Sequence, residues 1–336
     1  SIHKVKYFDQ TTDTTSYGRT KSGTTKKQIL LVTYGRSGST FTSALINRHK
    51  DVFFVFEPLF VLEKSISLDT KENDSMAIVK AFMECNIPTE YSFALDNYLY
   101  RNSDTTRNFY RCMASLKKGA FHVSCFLQLL DACRRQRVTF VKTIRFQVKW
   151  AEALLARNPN FKLLYLVRDP RATLFSQARV FRNFNWNTQV FNISQQHCTN
   201  LQLDLQDAER LYHLYPGQVK GIRYEHGATD PLTYTRDIYK FIDLPFDNDL
   251  VEYITNITKA PIDSPKVNSS YSVLRHNSTQ TMNRWRFMVG FNSVREVDQA
   301  CGHLYSKLGY RTVASQKHLV SESSLVISPQ PSGIFS

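Results

Sequence analysis

Residues 28–47, QILLVTYGRSGSTFTSALIN, carry the pattern from which the architecture follows. An apolar run from Ile29 to Val32 leads into a turn rich in Gly and Ser. Phe41 to Asn47 then places apolar residues at helical spacing, so the stretch predicts strand, tight loop, helix. Such a junction suits an anion, because the first backbone N–H groups of a helix have no intrahelical acceptor and lie at the positive end of the macrodipole. Gly35 and Gly38 let backbone approach an anion closely, Arg36 adds a fork of donors, and Ser37, Ser39 and Thr40 add hydroxyls. The same residues also suit a plain strand-to-helix turn, and the loop alone leaves both readings open. It is not the ATP-type phosphate loop, since Gly35 and Gly38 are too close together and no Lys follows the second glycine.

Outward from this stretch, strand-like apolar runs recur at 28–33, 52–56, 138–141, 161–167 and 219–224, with helical patterns between several of them. Alternation of that kind predicts an α/β fold in which helices cover a mainly parallel sheet. No internal repeat or heptad pattern interrupts it. The 336 residues are 42% hydrophobic and include 23 Phe and 17 Tyr, enough for one large core. The expected organisation is a flexible stretch at 1–26, a main domain at 27–313 and a flexible Ser-rich tail at 314–336.

The formal charge of +14 points to an acidic partner: nucleic acid, an anionic glycan, a membrane surface or a phosphorylated ligand. No zinc-finger spacing or aromatic RNA-binding signature accompanies the basic clusters, so nucleic acid is not the expected partner. Six cysteines without close Cys-x-x-Cys pairing argue against a structural zinc site and leave disulfides open. Sequons at Asn192, Asn256, Asn268 and Asn277 suit a secretory protein, although a chain this rich in Ser and Thr produces several by chance. The longest apolar candidate, Val52 to Leu62, is broken by Glu57 and Pro58 and falls short of the roughly 20 residues of a membrane span. The chain opens on Ser without a signal peptide, so the expectation is a trimmed chain whose targeting segment lies elsewhere.

A second informative stretch is residues 161–180, FKLLYLVRDPRATLFSQARV. A buried strand ends at Arg168, and Asp169-Pro170 is a strong helix start: Asp is a preferred N-cap and Pro is favoured at the first helical position. Helix capping does not account for Arg168. At the carboxyl end of an inner strand, where open α/β sheets bind ligands, it is placed to reach a phosphate, and Ser176 two turns on adds a hydroxyl.

Together, TYGRSGST at 33–40, FEP at 56–58 and LVRDPRATLFSQAR at 166–179 resemble the Golgi carbohydrate sulfotransferases that act on oxygen 6 of galactose, N-acetylgalactosamine or N-acetylglucosamine. The resemblance continues through FVKTIRF at 140–146, GIRYEHGATDP at 221–231, Trp285-Arg286 and CGHLYSKLGY at 301–310. It implies a three-layer α/β/α, P-loop-NTPase-like sulfotransferase fold that uses 3′-phosphoadenosine 5′-phosphosulfate and no metal. It also implies that Arg36, Ser37, Gly38, Ser39, Thr40 and Phe41 grip the 5′-phosphosulfate, while Arg168 and Ser176 grip the 3′-phosphate. The implied acceptor is an acidic or neutral glycan such as chondroitin or keratan. The implied setting is the Golgi lumen, as a disulfide-bonded type II glycoprotein whose membrane anchor lies outside this chain. Two departures stand out: Gly35 where Ser or Arg is common, and His226 where the family usually has Asp.

In-line sulfuryl transfer requires donors aimed at the transferred group and at the leaving phosphate, plus a base for the acceptor hydroxyl. Arg36 fits the first requirement. Glu57, at the end of VFFVF and beside Phe54, Phe56 and Phe60, is the expected base; the plainer reading is a strand-end Glu paired with an Arg. Lys142 is expected to assist catalysis and Arg145 to bind substrate, or the two form a surface basic pair. Trp285 either stacks on adenine or fills core, and His122 and His213 read as packing residues. Segments 60–135 and 181–215 are expected to select the acceptor. Two other functions fit less well: a non-catalytic glycan-binding protein, and a nucleotide kinase, which lacks its lysine and an acidic magnesium pair.

Overall fold

The computed structural model describes residues 26–63, 68–115, 123–181, 184–261, 272–321 and 333–335. Five strands, β1 (Lys27–Thr33), β2 (Val52–Phe56), β3 (Val138–Thr143), β4 (Phe161–Val167) and β5 (Val219–Arg223), form one sheet in the order β2-β3-β1-β4-β5. All four pairings are parallel. Each expected run became a strand. β3 extends beyond its apolar part because Lys142 and Thr143 stay in register with Leu31 and Val32 of β1, and Lys142 also pairs with Phe56 of β2.

β1 shows why the sheet has two covered faces. Ile29 and Leu31 join one buried cluster, whereas Leu30 and Val32 join the other, so alternate residues of a continuous apolar run serve opposite layers. On the first face lie α1 (Ser39–Asn47), α9 (Pro231–Phe241) and α10 (Asn248–Thr258), which contribute Leu45, Ile238 and Ile254. The other face is covered by α2 (Leu68–Met83), α4 (Val123–Arg135), α7 (Trp186–Leu214) and α12 (Phe291–Cys301), through Ile78, Leu129, Leu205 and Val297. Further helices include α3 (Asp104–Ala114), α5 (Glu152–Arg157), α6 (Pro170–Phe181), α8 (Tyr224–Thr229) and α11 (Ser278–Asn283). The result is three layers, α/β/α.

After β1 the chain crosses to the edge strand β2, returns to β3, and then passes over β1 to β4. That reversal opens a crevice at the carboxyl ends of β1, β3 and β4, the switch point where such sheets take ligands. The helix start expected at Asp169-Pro170 is present: the Asp169 carboxylate accepts the Arg171 N–H at 2.9 Å, and Pro170 opens α6.

All six cysteines are paired, as Cys85–Cys133, Cys112–Cys125 and Cys198–Cys301. The last joins α7 to α12 across 103 residues of sequence. The boundary expected at residue 313 has no counterpart in the packing. Leu319 is fully buried with Trp285, and Arg286 donates to the carbonyls of Leu319 at 2.7 Å and Ser321 at 2.6 Å. Ile334 and Phe335 are also buried, over Gly221 of β5, where a Cβ would meet Phe335 at 2.7 Å. The expected flexible segment at 1–26 lies outside the described residues except for Lys26, as do His122 and the sequon at Asn268. Among the described residues no helix is long and apolar enough to cross a membrane.

Replacing both Cys198 and Cys301 by Ala frees a loop of about a hundred residues in the unfolded chain, and we expect a loss of about 2–5 kcal/mol in urea unfolding.

Candidate functional site

The loop after β1 is held from two sides. Arg36 (φ 68°) and Gly38 (φ 85°) both occupy the left-handed region. At Gly38 only glycine fits, because a Cβ there would overlap the Tyr224 ring. Gly38 is the N-cap of α1 and supplies no capping side chain, so the N–H groups of the first helical turn, Ser39, Thr40 and Phe41, have no intrahelical acceptor. The other side of the loop is gripped from the β4–α6 segment. Arg168 Nη1 donates to the Arg36 carbonyl at 2.9 Å, Gln177 Nε2 to the Gly35 carbonyl at 2.8 Å, and Arg36 Nε to Ser176 Oγ at 3.2 Å. Arg168 lies 4.6 Å from the Tyr224 ring centroid, and its Nε is buried without a hydrogen-bond partner.

Across the crevice, Glu57 is 2% exposed and is also left-handed, with φ 54°. That conformation costs about 1–3 kcal/mol in a non-glycine residue and persists only where the surroundings enforce it. Here the Glu57 N–H donates to the Lys142 carbonyl at 2.9 Å, and the Glu57 carbonyl accepts from Asn97 Nδ2 at 2.8 Å. The carboxylate itself accepts Lys142 Nζ at 2.6 Å on one oxygen, and Arg145 Nη1 at 2.7 Å and the Ile144 N–H at 3.3 Å on the other. Burial pulls the Lys142 ammonium below its ordinary pKa, and Glu57 opposes that shift. Phe56 and Phe60 do border the group as expected, but they face the cations, at 4.4 Å from Lys142 and 5.1 Å from Arg145. The strand-end Glu paired with an Arg is therefore the arrangement present. Three donors fill three of the carboxylate's roughly four lone-pair sites, and the remaining one lies on Oε1, the oxygen that Lys142 alone contacts.

The two halves meet in one cleft of about 960 Å³, lined by every candidate site residue from the sequence except Ser37. Ser37 is 2% exposed, and its N–H closes the turn onto the Tyr34 carbonyl at 3.3 Å, so neither its side chain nor its N–H faces a ligand. Trp285 fills core beside Ala172 and also lines the cleft. His213 is exposed on α7.

GIRYEH turns out to be mainly scaffold. Arg223 is buried and donates to the Leu308 carbonyl at 3.0 Å. Glu225 accepts the Asp169 N–H at 3.0 Å and the Tyr310 hydroxyl at 2.9 Å, and burial raises its pKa. His226 does not touch that carboxylate: its Nε2 is 2.6 Å from Arg223 Nη2. Burial and the Arg223 charge pull His226 down to about 4, so the neutral imidazole serves as the acceptor.

Sequence reasoning missed Asp204, midway along α7. Its Oδ2 accepts the Tyr34 hydroxyl at 2.6 Å and its Oδ1 accepts the Val148 N–H at 2.9 Å. One buried carboxylate thus ties the loop after β1 to the segment after β3. Burial raises Asp204 and holds the Tyr34 phenol well above its usual range, which keeps it a donor. Nothing local in the sequence marks an Asp in the middle of a long helix. Asn97, which caps the turn Tyr98–Asn102, was missed because its partner, the Glu57 carbonyl, lies 40 residues away in sequence. Among the described residues no group of three or more His, Cys, Asp or Glu is placed to hold a metal.

Comparison with known proteins gives a consistent set of matches. The profile described as "Sulfotransferase family" matches residues 28–248. Carbohydrate sulfotransferase 1 of Homo sapiens is 27% identical over 89% of this chain and 82% of its own length. Carbohydrate sulfotransferase 3 of Mus musculus is 24% identical over 89% of this chain and 71% of its own. Among solved structures, the sulfotransferase domain from the curacin biosynthetic pathway aligns over 83% of this chain and 98% of that one, at 15% identity and a TM-score of 0.46.

Two half-buried imidazoles set a pH dependence. Burial brings both His197 and His226 to about 4, against an ordinary value of 6.5. Between those values the unfolded chain binds more protons, so each His stabilises the fold above about pH 6.5 and that contribution is lost as pH falls toward 4. Urea midpoints measured from pH 7 to pH 4.5 should fall less steeply for His226→Gln than for the wild type.

Proposed function

Because this chain belongs to the sulfotransferase family, we propose that it transfers a sulfuryl group from 3′-phosphoadenosine 5′-phosphosulfate to a sugar hydroxyl, oxygen 6 of a galactose or N-acetylhexosamine in a glycan. The observation that carries this reading is the convergence of Arg36, Arg168 and Ser176 around the N-terminus of α1, opposite the Glu57–Lys142 pair in the same cleft. Two anionic groups can be held there at once. The N–H groups of residues 39–41 with Arg36 suit the 5′-phosphosulfate, and Arg168 with Ser176 suits the 3′-phosphate. Names of relatives at about a quarter identity support a carbohydrate acceptor. The net charge of +14 favours an acidic one.

In the proposed reaction the acceptor oxygen attacks sulfur in line while the bond from sulfur to the bridging oxygen breaks. The electron pair leaves on the 5′-phosphate, and the hydroxyl proton passes to Glu57. Arg36 and Lys142 offset charge on the leaving phosphate, so positioning and electrostatics supply most of the acceleration and the scheme calls for no metal. Lys142 Nζ donates to Glu57 Oε1 at 2.6 Å. An incoming sulfuryl group competes for that ammonium and releases the oxygen to take a proton. Arg145 then steadies the other oxygen and borders the acceptor. Three disulfides suit an oxidising compartment such as the Golgi lumen.

Purified protein given radiolabelled donor and a panel of desulfated glycans should incorporate label into at least one; labelling of none overturns the reading. Arg168→Ala and Ser176→Ala should each weaken calorimetric binding of 3′-phosphoadenosine 5′-phosphate by about tenfold or more. Glu57→Gln should lower kcat by about 100-fold or more, with affinity for the bisphosphate within about twofold. An unchanged kcat removes Glu57 from the role of base.

A further inference from the structure

On the Glu57 side the cleft has a rim of different character. The buried Asn97 side chain donates to the Glu57 carbonyl at 2.8 Å and accepts the Leu99 N–H at 3.0 Å. The turn Tyr98–Asn102 is thereby fastened to the residue whose carboxylate meets Lys142. Tyr98 lines the cleft, is 44% exposed, and meets Phe60 edge to face at 5.2 Å. Two guanidinium groups flank this aromatic pair, Arg145 at 5.1 Å from the Phe60 ring and Arg101 at 5.3 Å from the Tyr98 ring. Their charges are not equally engaged. Arg145 is paired with Glu57 and Glu63, whereas Arg101 has no ion pair among the described residues.

A chain of contacts therefore runs from Glu57 through Arg145, Phe60 and Tyr98 to Arg101. The chemistry of each member suits a polysaccharide. The C–H face of a pyranose packs on an aromatic ring, and Tyr offers that surface at low entropic cost. A guanidinium pairs with a carboxylate or sulfate through parallel hydrogen bonds.

We propose that Tyr98 and Arg101 form an acceptor subsite for a sugar neighbouring the one that is sulfated. Tyr98 takes the apolar face of the neighbouring ring, and Arg101 takes an anion carried by it, a uronate carboxylate or an existing sulfate ester. The subsite selects glycans that are already acidic over neutral ones. This rests on the glycan-acceptor reading above. Arg101 is exposed, so its contribution is moderate and screened by salt.

The test measures binding apart from turnover. Protein saturated with 3′-phosphoadenosine 5′-phosphate is titrated with desulfated chondroitin, keratan sulfate and neutral poly-N-acetyllactosamine oligosaccharides. Arg101→Gln should weaken the charged glycans by about three- to tenfold and leave the neutral one within about twofold, with the difference shrinking as salt rises. Arg101→Lys should recover part of the loss. Tyr98→Ala should weaken all three glycans, and none of these variants should change affinity for the bisphosphate. A response confined to chondroitin or to keratan sulfate supports the subsite and identifies its anion as carboxylate or sulfate. The proposal falls if wild-type protein binds no charged glycan, if Arg101→Gln leaves charged-glycan affinity unchanged, or if Tyr98→Ala has no effect. Sulfation that proceeds without a response at Arg101 overturns the subsite alone. A response at Arg101 in a protein that sulfates nothing supports the subsite and overturns the transferase reading.

Discussion

Burying the Glu57 carboxylate with the Lys142 ammonium constrains the architecture around them. A buried charge left without its partner costs several kcal/mol, so each of these groups requires the other in place. Meeting that requirement aligns the carboxyl ends of β2 and β3 and fixes Glu57 in a left-handed conformation. It also brings Arg145 back over the end of β2, through its contact at 2.7 Å. Asn97 extends the constraint to the turn at 98–102, because it bonds to the backbone that the ion pair has already fixed. A neutral pair of the same size would fold with less demand on geometry. The charged pair yields a carboxylate and an ammonium whose positions are set before any ligand arrives.

The opposite wall is organised by backbone contacts. Arg168 and Gln177 donate to the carbonyls of Arg36 and Gly35, so these loop acceptors are satisfied by α6 and by the β4–α6 connection. The free donors then lie at the start of α1, where Gly38 contributes no side-chain cap. This division of polar groups suits the loop to an anion: the carbonyls of Gly35 and Arg36 are occupied, the first N–H groups of α1 have no intrahelical acceptor, and the Tyr224 ring excludes any larger residue at position 38.

The strands were legible because a strand buried on both faces tends toward a continuous apolar run, a local signal clearest in VFFVF of β2 and in LLYLV of β4, and weakest in VKGIR of β5. The start of α6 was legible for the same reason, since Asp169 caps a helix that begins one residue later. Legibility ended where a residue's partner lies far along the chain. Glu57 read as a carboxylate among aromatics because its neighbours in sequence are aromatic; Lys142 and Arg145, its actual partners, are 85 and 88 residues away. The disulfide pairing and the burial of Leu319 and Phe335 are likewise set by tertiary proximity. Ser37 shows a subtler limit: its residue type suits an anion site, but the turn consumes its N–H and encloses its side chain.

Asp204 makes α7 a measuring rod. The helix begins at Trp186, and the carboxylate that bridges Tyr34 and Val148 comes 18 positions later in the numbering. Each residue of an α-helix advances about 1.5 Å and turns about 100°. Adding or deleting a single residue between Trp186 and Asp204 therefore swings the carboxylate off both loops even though every residue lining the cleft is untouched. Upstream of Asp204 in the same helix, Cys198 is tied to Cys301 of α12, which leaves little freedom to rotate the register back. Relatives that conserve this bridge are thus expected to vary in length within the loops flanking α7 and to keep the spacing inside it.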